Sequence, residues 1–236
     1  MNKIDYRTQT TLITGASAGL GAEFARQFAE RGSNLVLVAR RADRLQALAD
    51  ELSAKHRITV TVVPFDLAAP GAGEALAKEV ARRGITVTSL VNNAGFGTHA
   101  PFRQEDAARV QQEIGLNVAS LVDVTRALIG QLTGVLVNVA SSLGYQPWPN
   151  AAVYGATKAF VLSLSRRCGR NREGPGCACS PSPRARPAPS SSTRPAPTTW
   201  PAVSGCRPRA RWSPPHCARW TGATRRPASC PARSTG

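Results

Sequence analysis

For its first 165 residues the chain alternates short apolar β runs with amphipathic helical stretches, and after Ser165 the alternation ends. The β runs are Thr10–Thr14, Asn34–Ala39, Ile58–Phe65, Val87–Asn92 and Val135–Ala140. Helical spacing covers Leu20–Arg31 (Leu20, Phe24, Phe28) and Ala42–His56 (Leu45, Leu48, Leu52). It also covers Glu74–Arg83 and a stretch from Arg103 to near Ile129 that reads as one long helix or two abutting ones; Val153–Ser165 opens a further helix. Strands this short, each followed by a helix, call for a parallel sheet with right-handed crossovers. Little polar alternation within the runs means that helices cover both sheet faces. The predicted fold class is α/β, a doubly wound parallel sheet, carried by residues 1–165.

Composition matters where the pattern stops. Residues 1–165 hold 16 Lys and Arg against 13 Asp and Glu; residues 166–236 hold 14 Arg, one acid (Glu173), all six cysteines and 13 of the 18 prolines. That second segment has no Leu, Ile, Phe, Met or Tyr, so it buries too little apolar surface to offset its chain entropy and is expected to be disordered. Cys177 and Cys179 are its only close cysteine pair, and no metal site is expected. No apolar run approaches the roughly 20 residues of a membrane helix, and Met1–Thr10 lacks the apolar core of a secretory signal. A cytoplasmic protein without membrane or specific nucleic-acid partners is the expectation. Binding of RNA through the arginines and three tryptophans of the tail is the weaker alternative.

Between the first strand and the first helix lies Thr14-Gly15-Ala16-Ser17-Ala18-Gly19-Leu20-Gly21. Glycines there let a pyrophosphate approach the backbone, and the helix N-terminus offers N–H groups and a positive dipole end. An acid at the end of strand two would bind the 2′-hydroxyl of NAD; this chain has Ala39-Arg40-Arg41 and no acid before Asp43. Two guanidinium groups suit a 2′-phosphate, with Ser17 as a further contact, so NADP is favoured over NAD. Solvated helix-start arginines are the plainer alternative. Tyr154 and Lys158 are four apart and share one helix face. An ammonium beside a phenol stabilises the phenolate and makes the tyrosine usable as a general acid or base.

The Gly-x-x-x-Gly-x-Gly spacing, Asn92-Asn93-Ala94-Gly95 after strand four, Asn117 in the long helix, Ser141 after strand five and Tyr154-Gly-Ala-Thr-Lys158 occur in one order. In this the chain resembles the classical short-chain dehydrogenase/reductase family, from about Thr10 to Ser165. The resemblance implies a Rossmann-like fold and an oxidoreductase that moves hydride between NADP(H) and a carbonyl or alcohol substrate. It implies a catalytic set of Asn117, Ser141, Tyr154 and Lys158. Tyr154 is the acid or base, Lys158 also holds the nicotinamide ribose, Ser141 steadies the substrate oxygen, and Asn117 holds a water that links the lysine to solvent. It implies cofactor contacts from Gly15, Ser17, Gly19, Leu20, Gly21, Arg40, Arg41, Asp66, Leu67, Asn93, Ala94, Gly95, Tyr154 and Lys158. Ser142 in place of Ser141, and a capping role for Asp66, stay open, as does a dinucleotide-binding protein without turnover. An intact relative is open to homo-oligomer formation.

The odd tail has a single-cause reading. Take a coding frame for SEALWAEPRRPGVRVLAL and remove one base just after its first codon. With suitable codons it then reads Ser165–Pro181 residue for residue. In that frame SEALWAE continues the last helix and VRVLAL supplies a sixth strand. Residues 166–236 are therefore expected to be out of frame, to lack the family's last strands, to leave strand five as an open edge and to impair activity.

Overall fold

The computed structural model describes residues 4–170 and 179–182, all within the unit spanning residues 1–187; the second unit, 188–236, falls outside the described residues. Strands β1 (Thr10–Thr14), β2 (Asn34–Ala39), β3 (Val60–Pro64), β4 (Ser89–Asn92), β5 (Leu136–Val139) and β6 (Cys179–Ser182) form one sheet in the order β3-β2-β1-β4-β5-β6. Every pairing is parallel. The chain winds outward from β1 to β3, returns to β4 beside β1, and winds outward again. This is the doubly wound α/β arrangement expected, with its switch point between β1 and β4.

Helices α1 (Gly19–Glu30), α2 (Ala42–His56), α3 (Ala72–Arg82), α4 (Ala107–Ile114), α5 (Leu121–Leu128) and α6 (Ala152–Arg170) cover the two faces. The period-2 geometry of a strand divides each apolar run between them. Leu12, Val36, Val38, Leu90 and Leu136 pack with Leu76 and Val80 of α3 and Val124 and Leu128 of α5. Their neighbours Ile13, Leu35, Leu37, Val91 and Val139 pack with Ala25 and Phe28 of α1 and Leu45, Leu48 and Leu52 of α2. Between α4 and α5, residues Gly115–Ser120 form a π-helical segment, so the long stretch is two helices joined by a widened turn.

Two observations amend the expectation beyond Ser165. Helix α6 runs on to Arg170, and β6 lies parallel to β5 with Leu136 opposite Cys179 and Val139 opposite Ser182. Strand five is therefore not the sheet edge, and a sixth strand is present. Strand pairing uses backbone groups that almost any sequence carries, and among the described residues β6 is an edge strand, where a proline is tolerated. In the restored reading VRVLAL falls on residues 177–182, so β6 occupies the end of that segment. The expected disorder of residues 171–178 and 183–236 lies outside the described residues. Among the described residues no helix is long and apolar enough to cross a membrane.

Candidate functional site

The glycine loop leaves the carboxyl end of β1 and enters α1. Gly15 and Gly19 have φ of +66° and +57°, a region that side chains strain. Gly21 is needed for space: a Cβ there would stand 2.3 Å from Gly15 O and 2.6 Å from Asn93 Nδ2. No side chain caps the N-terminus of α1, so its first amides keep the capacity to bind an anion.

The loop after β4 braces this turn. Asn93 Nδ2 donates to Thr14 O at 3.0 Å and Gly15 O at 3.2 Å, while Thr14 Oγ1 accepts the N–H groups of Asn93 and Ala94 at 2.9 and 3.0 Å. Asn92 plays a separate part, donating to Thr125 Oγ1 and Asn138 Oδ1, each at 2.9 Å. Asn138 in turn donates to Ser165 Oγ at 3.0 Å, so a buried polar chain crosses β4, β5 and α6.

A cleft of about 830 Å³ opens over these loops. Of the residues that the sequence assigned to the cofactor, Gly15, Ser17, Gly19, Leu20, Arg40, Arg41, Asp66, Leu67, Asn93, Ala94 and Gly95 line it. Gly21 lies beneath, against Gly15. At the end of β2, Arg41 Nε and Nη2 both donate to Ser17 Oγ, at 3.1 and 2.8 Å. Arg41 and the glycine loop thus form one continuous rim. Asp66 lines the cleft and accepts the Ala68 N–H at 3.0 Å within its own turn, whereas the N-cap of α3 is Gly71.

Asn117, Ser141, Tyr154 and Lys158 do not line that cleft; they are buried beside it, and Gly95 touches both groups. A Cβ on Gly95 would stand 2.7 Å from Asn117 Oδ1 and 3.6 Å from Lys158 Nζ. Lys158, 2% exposed, donates from Nζ to Val139 O at 2.9 Å, and its ammonium lies 5.8 Å from the Tyr154 ring centroid. Asn117 sits in the π segment. Its Oδ1 accepts the Phe96 N–H at 3.1 Å, and its Nδ2 donates to Phe96 O at 2.8 Å and Thr157 Oγ1 at 3.1 Å. Thr157 Oγ1 donates to Tyr154 O at 2.8 Å, which ties Asn117 to the first turns of α6. Ser141 is buried and its Oγ accepts the Leu143 N–H at 3.3 Å, whereas Ser142 is half-buried. Helix α6 packs close on this turn, since a Cβ on Gly144 would meet the Lys158 carbonyl at 2.8 Å.

Sequence reasoning missed several participants. Thr14 and Thr157 hold the loops through hydroxyl groups that a sequence shows only as polar residues. Arg109 and Gln112 of α4 line the cleft, with the Arg109 guanidinium 4.0 Å from the Phe96 ring centroid. Glu113, buried in the same helix, accepts two bonds from Thr98. The α4 spacing of these residues was visible; their inward direction depends on the turn that follows.

A sequence model of the family described as short chain dehydrogenase matches residues 9–174. The chain belongs to that family. This short chain dehydrogenase is 39% identical over 165 residues to sulfoacetaldehyde reductase 2 of Chromohalobacter salexigens, a match covering 66% of this chain and 65% of that one. It is 30% identical to human 17-beta-hydroxysteroid dehydrogenase type 3, over 67% of this chain and 52% of the relative. The chain thus spans less than two thirds of the length of these relatives. Among solved structures, a short-chain dehydrogenase from Sphingobium yanoikuyae in complex with NADPH is 38% identical, with a TM-score of 0.64 over 69% of this chain and 64% of that one. A bulky-bulky ketone specific alcohol dehydrogenase from Comamonas testosteroni is 35% identical, with a TM-score of 0.67 over 72% and 70%.

Proposed function

We propose that this short chain dehydrogenase transfers hydride between NADP(H) and a carbonyl or alcohol substrate. The observation that carries the reading is a buried cluster of Tyr154, Lys158, Asn117 and Ser141 that meets a glycine-braced cleft at Gly95. The cleft fits a dinucleotide on its own chemistry. A side chain on Gly15 or Gly21 would fill the cradle, the amides at the start of α1 have no side-chain cap, and guanidinium groups stand at the far rim.

In this reading Gly15, Ser17, Gly19 and Leu20 hold the pyrophosphate, with Gly21 making room beneath. Arg40, Arg41 and Ser17 hold a 2′-phosphate, and Asp66 and Leu67 hold the adenine. Asn93, Ala94 and Gly95 fix the floor of the cleft. The nicotinamide, when bound, supplies or takes the hydride. Tyr154 gives its phenolic proton to the substrate oxygen during reduction and takes it back during oxidation. Lys158, held by Val139 O, stabilises the phenolate by its charge and contacts the nicotinamide ribose. Ser141 donates to the substrate oxygen. The Asn117 amide keeps Phe96 and Thr157 in register around the tyrosine and links the lysine to solvent through a water.

The test pairs binding with turnover. Tyr154→Phe is expected to abolish carbonyl reduction and to keep NADPH affinity, measured by calorimetry, near that of the unaltered chain. Turnover retained in Tyr154→Phe refutes the assignment, and NADH bound as tightly as NADPH refutes the cofactor choice.

Residues 166–236 are, on the same reading, an out-of-frame continuation of the domain carried by residues 1–165. The Arg/Pro composition supports this. Sequencing the gene around codon 165, with the intact mass of the protein, decides it. A gene and mass that both match this tail, together with ordinary dehydrogenase rates, exclude the reading.

A further inference from the structure

Among the described residues Glu113 is an acid with no exposed surface at all. Burying a carboxyl group costs stability unless hydrogen bonds compensate it. Its Oε2 accepts both the N–H and the Oγ1 of Thr98, each at 2.8 Å, whereas its Oε1 has no hydrogen-bond partner. Thr98 Oγ1 also lies 2.9 Å from Glu105 Oε1, so two acids from the start and the end of one segment close on a single threonine.

The segment so held touches the tyrosine. Gly97 presses on the Tyr154 ring, since a Cβ there would stand 2.6 Å from Cδ2 and 2.9 Å from Cγ. On its other side Phe96 is held at both its N–H and its C=O by Asn117. Three consecutive residues are thus fixed in turn: Phe96 by Asn117, Gly97 by the Tyr154 ring, Thr98 by Glu113. Glu113 in α4 and Asn117 in the adjoining π segment are four apart, so continuous helical backbone carries both anchors. Without Glu113 the Thr98 end loses its N–H bond and keeps only the hydroxyl contact to Glu105, which leaves the glycine less tightly held against the ring.

We propose that Glu113 is a positioning residue which, through Thr98, clamps Gly97 on the ring of Tyr154 and so orients the phenol for proton transfer. This rests on the reading of Tyr154 as the acid and base. Loss of the clamp acts on orientation, where a displacement of about 1 Å costs on the order of a hundredfold in rate.

The experiment uses the full chain labelled with 3-fluorotyrosine, whose three tyrosines are assigned by replacing Tyr6 and Tyr145 with Phe. Glu113→Ala is expected to shift or broaden the fluorine signal of Tyr154 and to lower kcat by about tenfold or more, with NADPH affinity changed less than about threefold. Glu113→Gln keeps an oxygen for both Thr98 donors and is expected to restore signal and kcat. Thr98→Val keeps the amide bond, loses the hydroxyl bond and is expected to fall between. An unmoved Tyr154 signal with unchanged kcat in Glu113→Ala overturns the proposal. So does a Glu113→Gln variant as impaired as Glu113→Ala. Should Glu113→Ala not fold, Thr98→Val decides: an unchanged Tyr154 signal overturns the clamp and a shifted one supports it. A chain that reduces no carbonyl compound removes the proposed activity, while the fluorine signal still decides the clamp.

Discussion

Gly21→Ala is the sharpest probe of the cleft, because its effect comes from space alone. The added Cβ would stand 2.3 Å from Gly15 O and 2.6 Å from Asn93 Nδ2. A carbon and a carbonyl oxygen ordinarily approach no closer than about 3.3 Å, so about 1 Å must open. Gly15 cannot yield inward, since its own Cβ position is already 2.9 Å from Ala94 Cα. Asn93 cannot yield either without leaving Thr14 O and Gly15 O. The helix α1 must therefore withdraw from the loop. Overpacking of this kind costs about 1–3 kcal/mol of stability. A withdrawal of that size also breaks one or two charge-assisted bonds from the α1 amides to the pyrophosphate, each worth about 1.5–3 kcal/mol. A loss of about 3 kcal/mol weakens NADPH roughly 150-fold, which calorimetric titration reads directly. Gly84→Ala, away from the cleft, is the control. Its Cβ position has nothing within 4 Å, but its φ of +70° makes the variant less stable by about 1 kcal/mol without touching α1. NADPH bound as tightly by Gly21→Ala as by the unaltered chain, or weakened equally by Gly84→Ala, refutes the reasoning.

Three further outcomes follow from single contacts. Arg41→Ala removes both guanidinium bonds to Ser17 and one cation from the rim, and is expected to lower NADPH affinity at least about tenfold while leaving NADH nearly unchanged, as measured by fluorescence titration. Asn138→Ala removes one partner each from the Asn92 amide and the Ser165 hydroxyl, which keep Thr125 Oγ1 and Val161 O, and is expected to cost about 1–3 kcal/mol in urea unfolding, with Asn92→Ala non-additive to it. Glu79 has its carboxyl pulled down to about 2 by hydrogen bonds from Arg82 and then Arg83. A depressed folded-state value means its contribution is complete above the ordinary 4.5 and is lost as the pH falls toward 2. The difference in melting temperature between the unaltered chain and Glu79→Gln is therefore expected to be full at pH 6 and to be mostly lost by pH 2.

What could be read from the sequence divides by the kind of force involved. The runs at Thr10–Thr14 and Asn34–Ala39 became strands with those bounds, because apolar side chains on both faces leave a parallel sheet as the only burial. Val87 is buried yet lies outside β4, which begins at Ser89, since burial and pairing are separate conditions. The glycine loop was legible through spacing, as no other residue fits where Gly21 meets Gly15. Strand β6 was not legible, because composition speaks of side chains and its pairing rests on the backbone. Glu113 was not legible for the opposite reason: in sequence it is a polar helical residue like Gln111 or Gln112, and only the fold turns it toward Thr98. Ser141, preferred over Ser142 because Ser141-x-x-Gly144 resembles the family's turn, also differs from it in burial.

The bonds between Asn93 and the glycine loop join residues 78 and 79 apart in the chain, and Lys158 reaches back 19 residues to Val139 on a strand that pairs with β4. Contacts of such separation form late, because the loop entropy they close is lost before any packing returns it. During synthesis, β1 and α1 emerge long before the partner that braces them, and the tyrosine helix emerges later still. A fragment ending before Asn93 carries the complete glycine signature and no means to hold it open. Cofactor capture is therefore expected to be coupled to completion of the fold: on the proposed reading NADPH would report the last folding step, and its presence during refolding is expected to trap the finished state and not to hasten the first.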